Sequence, residues 1–212
     1  MKILYRASPY LSTNPNPLGD NKDFILRTSF ESFKKALKGR RGVLINDSLS
    51  DDQLSIFPKN WEVVNAWGNE GTFHKQLMLA CDFDNDEKVF LVEDDYLWKP
   101  DAIDVIEESL NYFHLVSPYD HPSHYIEDRF KYEPKQLRLW NGHVYREAPS
   151  NTLTFACNAW VIKQNLEKIK SFGIRDHEMF QSLGVQMWVP IPSLATHLVT
   201  GLLAPGYDWL KT

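Results

Sequence analysis

GNEGTFHKQLMLACDFDNDEKVFLVEDDYLWKPDAI (68–103) carries, in order, a glycine-rich turn, a run of helical periodicity, an apolar strand, three carboxylates and a new helix start. Residues 68–83 open on the turn and continue with apolar side chains at helical spacing. KVFLVEDD (88–95) reads as a strand, because its four apolar residues in a row end abruptly on Glu93, Asp94 and Asp95. PDAIDVIEESLNYF (100–113) reads as a helix with proline in its favoured first position. Three adjacent acids repel one another and cost desolvation. A divalent cation relieves that cost, and hard carboxylate oxygens suit Mg²⁺ or Mn²⁺. For these three residues alone, a solvated acidic turn is the plainer alternative.

Outward from this stretch the pattern repeats. KILYRAS (2–8) reads as a first strand, LSTNPNPLGDN (11–21) as a loop by its Pro, Asn and Gly content, and DFILRTSFESFKKAL (23–37) as a helix starting near Asp23. VLIND (43–47) reads as a second strand, SDDQLSIF (50–57) as a short helix and WEVVNAW (61–67) as a third strand. HLVSPYD (114–120) is a fifth strand, residues 121–150 are irregular, and SNTLTFACNAWVIKQ (150–164) is a strand feeding a helix that starts near Lys163. Strands alternating with helices predict an α/β fold with a mostly parallel central sheet flanked by helices. Ligands of such sheets bind beyond the carboxyl ends of the strands. Asp47 ends one strand there, and the three acids end another.

The chain's 212 residues make one domain the natural expectation, and no linker divides it. A net charge of −5 argues against a surface built to grip nucleic acid non-specifically. The one basic run, KKALKGRR (34–41), reads as a solvated helix end with Gly39 as the stop. Two cysteines, Cys81 and Cys157, are too few for a disulfide framework and stand in no metal-ligand spacing. The N-terminus lacks the apolar core of a signal peptide, and no stretch approaches membrane-spanning length, so a cytoplasmic location is expected.

The run 68–103 resembles the large inverting nucleotide-sugar glycosyltransferase family of GT-A fold. Four motifs carry the resemblance in order. GNEGTFHKQLMLACDFDNDEKVFLVEDDYLWKPDAI matches the family's Asn-x-Gly turn, helix, strand, DxD-like acids and proline–acid helix start. VLINDSLSDDQL (43–54) resembles its NDGSTD segment. GIRDHEMFQSLG (173–184) resembles the helix carrying the catalytic base, and WVPIPSLATHLVT (188–200) resembles the segment whose histidine can complete a metal site. Glu93 stands where the family's first Asp usually lies, Arg175 where the Glu of its ED pair lies, and Ser182 where its Arg lies.

The resemblance implies one GT-A (Rossmann-like) domain over 1–212, with a nucleotide-binding half (1–120) and an acceptor and catalytic half (121–212). It implies transfer of a sugar from a metal-bound nucleoside-diphosphate sugar, UDP-sugar favoured, to an acceptor hydroxyl with inversion. Mn²⁺ or Mg²⁺ would be held by Glu93, Asp95 and His197. Arg6, Asp47, Asn69, Lys75 and Asp94 would bind the nucleotide sugar. Asp176, with Glu178 as fallback, would be the base, since an inverting transfer needs one within reach of the acceptor hydroxyl. The candidate acceptors are a glycan, a lipid-linked sugar and a modified DNA base, among which the sequence does not choose. PYDHPSHY (118–125) stands as a source of acceptor contacts, with Asp120 a further candidate base, and Trp98 either stacks on the acceptor or covers the sheet. A metal-dependent nucleotidyltransferase or phosphohydrolase and a catalytically silent binding module are the alternatives. No GxxxxGK[ST] loop and no GxGxxG fingerprint is present.

Overall fold

The computed structural model describes residues 1–132 and 136–211. The first half runs β1 (Lys2–Ala7), α1 (Lys22–Leu37), β2 (Gly42–Asn46), α2 (Asp51–Leu54), β3 (Glu62–Asn65), α3 (Gly68–Cys81) and β4 (Lys88–Val92). The second runs β5 (Tyr96–Trp98), α4 (Ala102–Ser109), β6 (Leu115–Val116), α5 (Ser123–Ile126), β7 (Leu137–Trp140), β8 (His143–Ala148), β9 (Phe155–Asn158), α6 (Ala159–Phe172), α7 (Asp176–Ser182), β10 (Met187–Ile191) and β11 (Ala195–His197). Nine strands form one sheet in the order β3-β2-β1-β4-β9-β6-β10-β8-β7. All but β8 and β9 point the same way, so the sheet is mostly parallel in direction. β5 and β11 pair apart from it as an antiparallel ribbon. Among the described residues no helix is long and apolar enough to cross a membrane.

The inner strands are continuous apolar runs because both of their faces are covered. Ile3, Tyr5, Leu44, Phe90 and Val92 pack on one side with α1 and α4. Leu4, Ile45, Val89 and Leu91 pack on the other with α3, α6 and α7. Asn21 caps α1, its side chain accepting from Phe24 N–H at 3.0 Å. The helix ends on Lys38 and Gly39, both at positive φ. The basic run beyond it is a brace as well as a helix end: Arg40 pairs with Glu107 at 3.0 Å and with Asp104 at 2.6 Å, and Lys38 also pairs with Asp104.

Several boundaries differ from the sequence reading. The fifth strand is only two residues long, since Pro118 has no N–H to extend the ladder. Helix α6 starts at Ala159 rather than near Lys163. Its first amides find acceptors across space, Ala159 N–H on Glu87 O at 2.8 Å and Trp160 N–H on Asn85 O at 3.1 Å. The stretch 121–150 is not irregular throughout. It holds α5 and the β7–β8 hairpin, closed by Asn141-Gly142 with both residues in the left-handed region. Residues 133–135 of that stretch lie outside the described residues. Trp98 covers the sheet, buried in an aromatic cluster with Phe33 and Phe90.

Candidate functional site

The chain lays down β1, β2 and β3 outward in one direction, then returns to place β4 on the other side of β1. That reversal opens a crevice at the carboxyl ends of β1 and β4, where open α/β sheets bind ligands. A cleft of about 610 Å³ lies there. Its walls come from the β1 end (Arg6, Ala7, Ser8), the following loop (Tyr10 to Asn14), Lys22, Asp47, the start of α3 (Gly68, Asn69, Thr72), the three acids, Ile174 and His197. Gln76 fixes the crevice from below. Fully buried, it donates to Leu4 O at 2.7 Å on β1 and to Val92 O at 3.1 Å on β4.

Each acid has a distinct setting. Asp47 Oδ2 accepts the N–H of Gly68 at 3.0 Å, which ties the β2 end to the start of α3. Glu93 is fully engaged: Oε1 pairs with Arg6 Nη2 at 2.5 Å, and Oε2 accepts from Thr154 Oγ1 at 3.0 Å. Arg6 also donates to the backbone oxygen of Asn69 at 2.9 Å and to its side-chain oxygen. Asp94 Oδ2 accepts from Lys22 Nζ and from the Ser8 N–H, both at 2.9 Å. Burial raises the Asp94 carboxyl above its usual range, against the pull of Lys22.

Asp95 meets His197 because β11 runs antiparallel to β5, with His197 opposite Tyr96 and the two rings stacked 4.9 Å apart. His197 Nε2 lies 3.0 Å from Asp95 Oδ2. Burial would raise Asp95, but the His197 charge and hydrogen bond, with Lys22 and Arg6, outweigh it and bring the carboxyl down to about 2. His197 is the mirror case: burial lowers it, while Asp95, Glu93 and Asp176 raise it further, for a net upward shift. Asp95 Oδ1 is buried and has no hydrogen-bond partner.

Among the described residues no three His, Cys, Asp or Glu side chains form a metal-binding group. Asp95 and His197 nonetheless suit a divalent cation. Asp95 keeps one buried oxygen, Oδ1, without a hydrogen-bond partner, and its other oxygen, Oδ2, stands 3.0 Å from His197 Nε2, the separation expected of two ligands sharing one ion with bonds of about 2.1 Å. Glu93 does not suit it as it stands, since Arg6 and Thr154 hold both its oxygens.

Asp176 opens α7. Burial pushes its carboxyl up to about 6; the His177 N–H pulls it down, Glu93 and Glu178 push it up, and His197 pulls it down. Asp176 therefore lies within electrostatic reach of the cleft acids and His197, although it is not in the cleft wall. Glu178 is exposed two residues along the helix, and Lys75 lies on α3 outside the cleft wall. Asp120 is locked away, buried and held by Arg146 at 2.6 Å and by Tyr125 Oη at 2.6 Å, so it cannot serve as a base. Lys22, Ser8, Thr72 and Thr154 were missed from the sequence. Of these, only Lys22 next to the helix-start signal gave any local hint.

No protein-family model and no curated protein sequence matches the chain. Solved structures do. The galactosyltransferase LgtC in complex with donor and acceptor sugar analogs superposes with a TM-score of 0.53 at 13% identity, covering 89% of this chain and 73% of that one. An active-site mutant of LgtC gives 0.53 and 13%, covering 89% and 72%. The bifunctional IspDF from Campylobacter jejuni is more distant, at 0.47 and 13%, covering 89% and 48%. At these identities the likeness is one of fold: the chain has a GT-A-like α/β fold, as found in a galactosyltransferase.

Proposed function

We propose that the protein is a glycosyltransferase that takes a sugar from a nucleoside-diphosphate sugar, UDP-sugar favoured, and passes it to an acceptor hydroxyl with inversion. The observation that carries this reading is the charge of the cleft. Four carboxylates, Asp47, Glu93, Asp94 and Asp95, face two permanent cations, Arg6 and Lys22, which leaves a formal charge of −2, or −1 with His197 protonated. A diphosphate is also an anion. It enters such a cleft only together with a cation, and the unpartnered Asp95 Oδ1 beside His197 is where the protein would hold one. A divalent ion there would supply Lewis-acid charge to the departing diphosphate.

The remaining roles fall to the chain itself. Asp47 has Oδ2 on Gly68 and leaves Oδ1 to a ribose hydroxyl or base N–H. Arg6 and Asn69 keep Glu93 fixed beneath the diphosphate, and Lys22 does the same for Asp94. Asp176, titrating near 6, is poised to accept the acceptor hydroxyl's proton at neutral pH, which suits a single displacement. Incubation with UDP-glucose, UDP-galactose and Mn²⁺ tests the reading. Slow release of UDP and free sugar is expected, with the anomeric configuration of the first-formed sugar inverted. Release of pyrophosphate instead would indicate nucleotidyl transfer, and no release with any nucleotide sugar would contradict the proposal.

A further inference from the structure

The wall beside Asp176 holds a set of side chains that the nucleotide cleft leaves unused. From His197 an arc of rings runs through Tyr119 (6.2 Å), His121 (5.0 Å), His124 (5.8 Å) and Phe130 (4.6 Å) to His177 (5.6 Å), next to Asp176 in the chain. Besides His197 on β11, it draws on four separate segments: the loop after β6, α5, the turn at Asp128–Phe130 and α7. The cations near it are spent. Arg146 pairs with buried Asp120, and Arg129 pairs with Glu127 at 2.5 Å.

The hydrogen bonds fix the protons on two of the rings. His121 Nδ1 accepts the backbone N–H of Ser123 at 3.1 Å. His124 Nδ1 lies 2.9 Å from Arg146 Nη2, and a guanidinium can only donate. Each ring, when neutral, therefore carries its hydrogen on Nε2. Both are held neutral. Burial first, then the nearby positive groups, lower His121 to about 4 and His124 to about 3. The wall thus offers an uncharged N–H donor at His121 and ring faces, while its two arginines are both paired with carboxylates.

We propose that this histidine arc, with half-buried His121 and His177 at its open positions, is the subsite for an uncharged polyhydroxyl acceptor, a sugar presented by its hydroxyl oxygens to imidazole N–H donors. This rests on the glycosyltransferase reading, and it selects the sugar over the DNA base among possible acceptors. The test is imidazole ¹⁵N spectroscopy of the full chain at pH 7 with UDP and Mn²⁺ present. A panel of methyl glycosides is added, and sodium phosphate is added separately.

The expected result is a neutral His121 with its proton on Nε2, and glycoside-induced shifts at His121 and His177 but not at the distant His114. His121→Phe keeps the ring and removes the N–H. It should weaken glycoside binding about tenfold, the order of one lost hydrogen bond, and leave UDP affinity unchanged. His121→Gln, which can still donate, should recover part of the loss. Four results would each overturn the proposal: no binding by any glycoside, equal binding by His121→Phe, shifts caused by phosphate alone, or preferential binding of an oligonucleotide carrying a hydroxymethylated base. Failure of UDP to bind with Mn²⁺ would sink the nucleotide-sugar reading instead, and the first titration separates the two.

Discussion

The half-buried Asp176 carboxyl, pushed up to about 6, is in the wrong range for a surface ion pair and in the right one for a base at neutral pH. Asp176→Asn removes the proposed base and keeps the shape. It should cut turnover by ~10²–10⁴-fold while nucleotide affinity stays within a factor of about two, because the proton matters only in the transition state. In the parent, kcat/KM should fall as pH drops through about 6, where Asp176 takes up its proton, and the residual rate of Asp176→Asn should lack that limb. A pH-rate profile of both enzymes checks this. The place of Asp47 and the three acids in the cleft was legible at residue level, because an apolar strand that stops on carboxylates announces which of its ends faces the crevice. Their partners were not. Lys22 lies 72 positions from Asp94, and Thr154 lies 61 from Glu93, so no local pattern joins them. The sequence reading made Glu93 a metal ligand on its position in the motif, whereas the structure gives both its oxygens to neighbouring side chains.

Elements set the crevice, and Gln76 is the residue by which α3 holds β1 and β4 together. Gln76→Leu keeps the volume and leaves the Leu4 and Val92 carbonyls without these donors. It should cost about 1–3 kcal/mol, read as a lower urea midpoint with an unchanged slope, and it should weaken nucleotide binding as the strand ends part. At this scale the alternation of strands and helices through β4 was readable from hydrophobic period alone. What followed was harder. β9 inserts antiparallel between β4 and β6, and its place depends on pairing partners far apart in sequence. The β7–β8 hairpin did carry a local signal in Asn141-Gly142, which the polar, aromatic composition around it obscured. The β5–β11 ribbon has only three pairs, too short for any period to show, yet it brings His197 to Asp95.

For the molecule as a whole, the cost of keeping histidines neutral should appear as acid sensitivity. His124 is lowered to about 3, while an unfolded histidine titrates near 6.5. Between those values the unfolded chain binds the extra proton, so this residue's contribution to stability falls as pH falls. His124→Gln should therefore flatten the decline in unfolding free energy between pH 6 and 4 by about 1.4 kcal/mol per pH unit, measured by urea titration at several pH values. The other whole-molecule property is the imbalance of charge. On the proposed reading, the acidic cleft at the switch point of this sheet would take a nucleoside diphosphate only in company with a cation. Calorimetric titration of UDP with and without Mn²⁺, in the parent and in Asp95→Ala, tests that most directly. Binding should be tight in the parent with Mn²⁺, at least tenfold weaker without it, and insensitive to Mn²⁺ in Asp95→Ala, where about 1.4 kcal/mol corresponds to each tenfold change. Equal UDP affinity in the parent with and without the metal, or an undiminished Mn²⁺ effect in Asp95→Ala, would contradict the account.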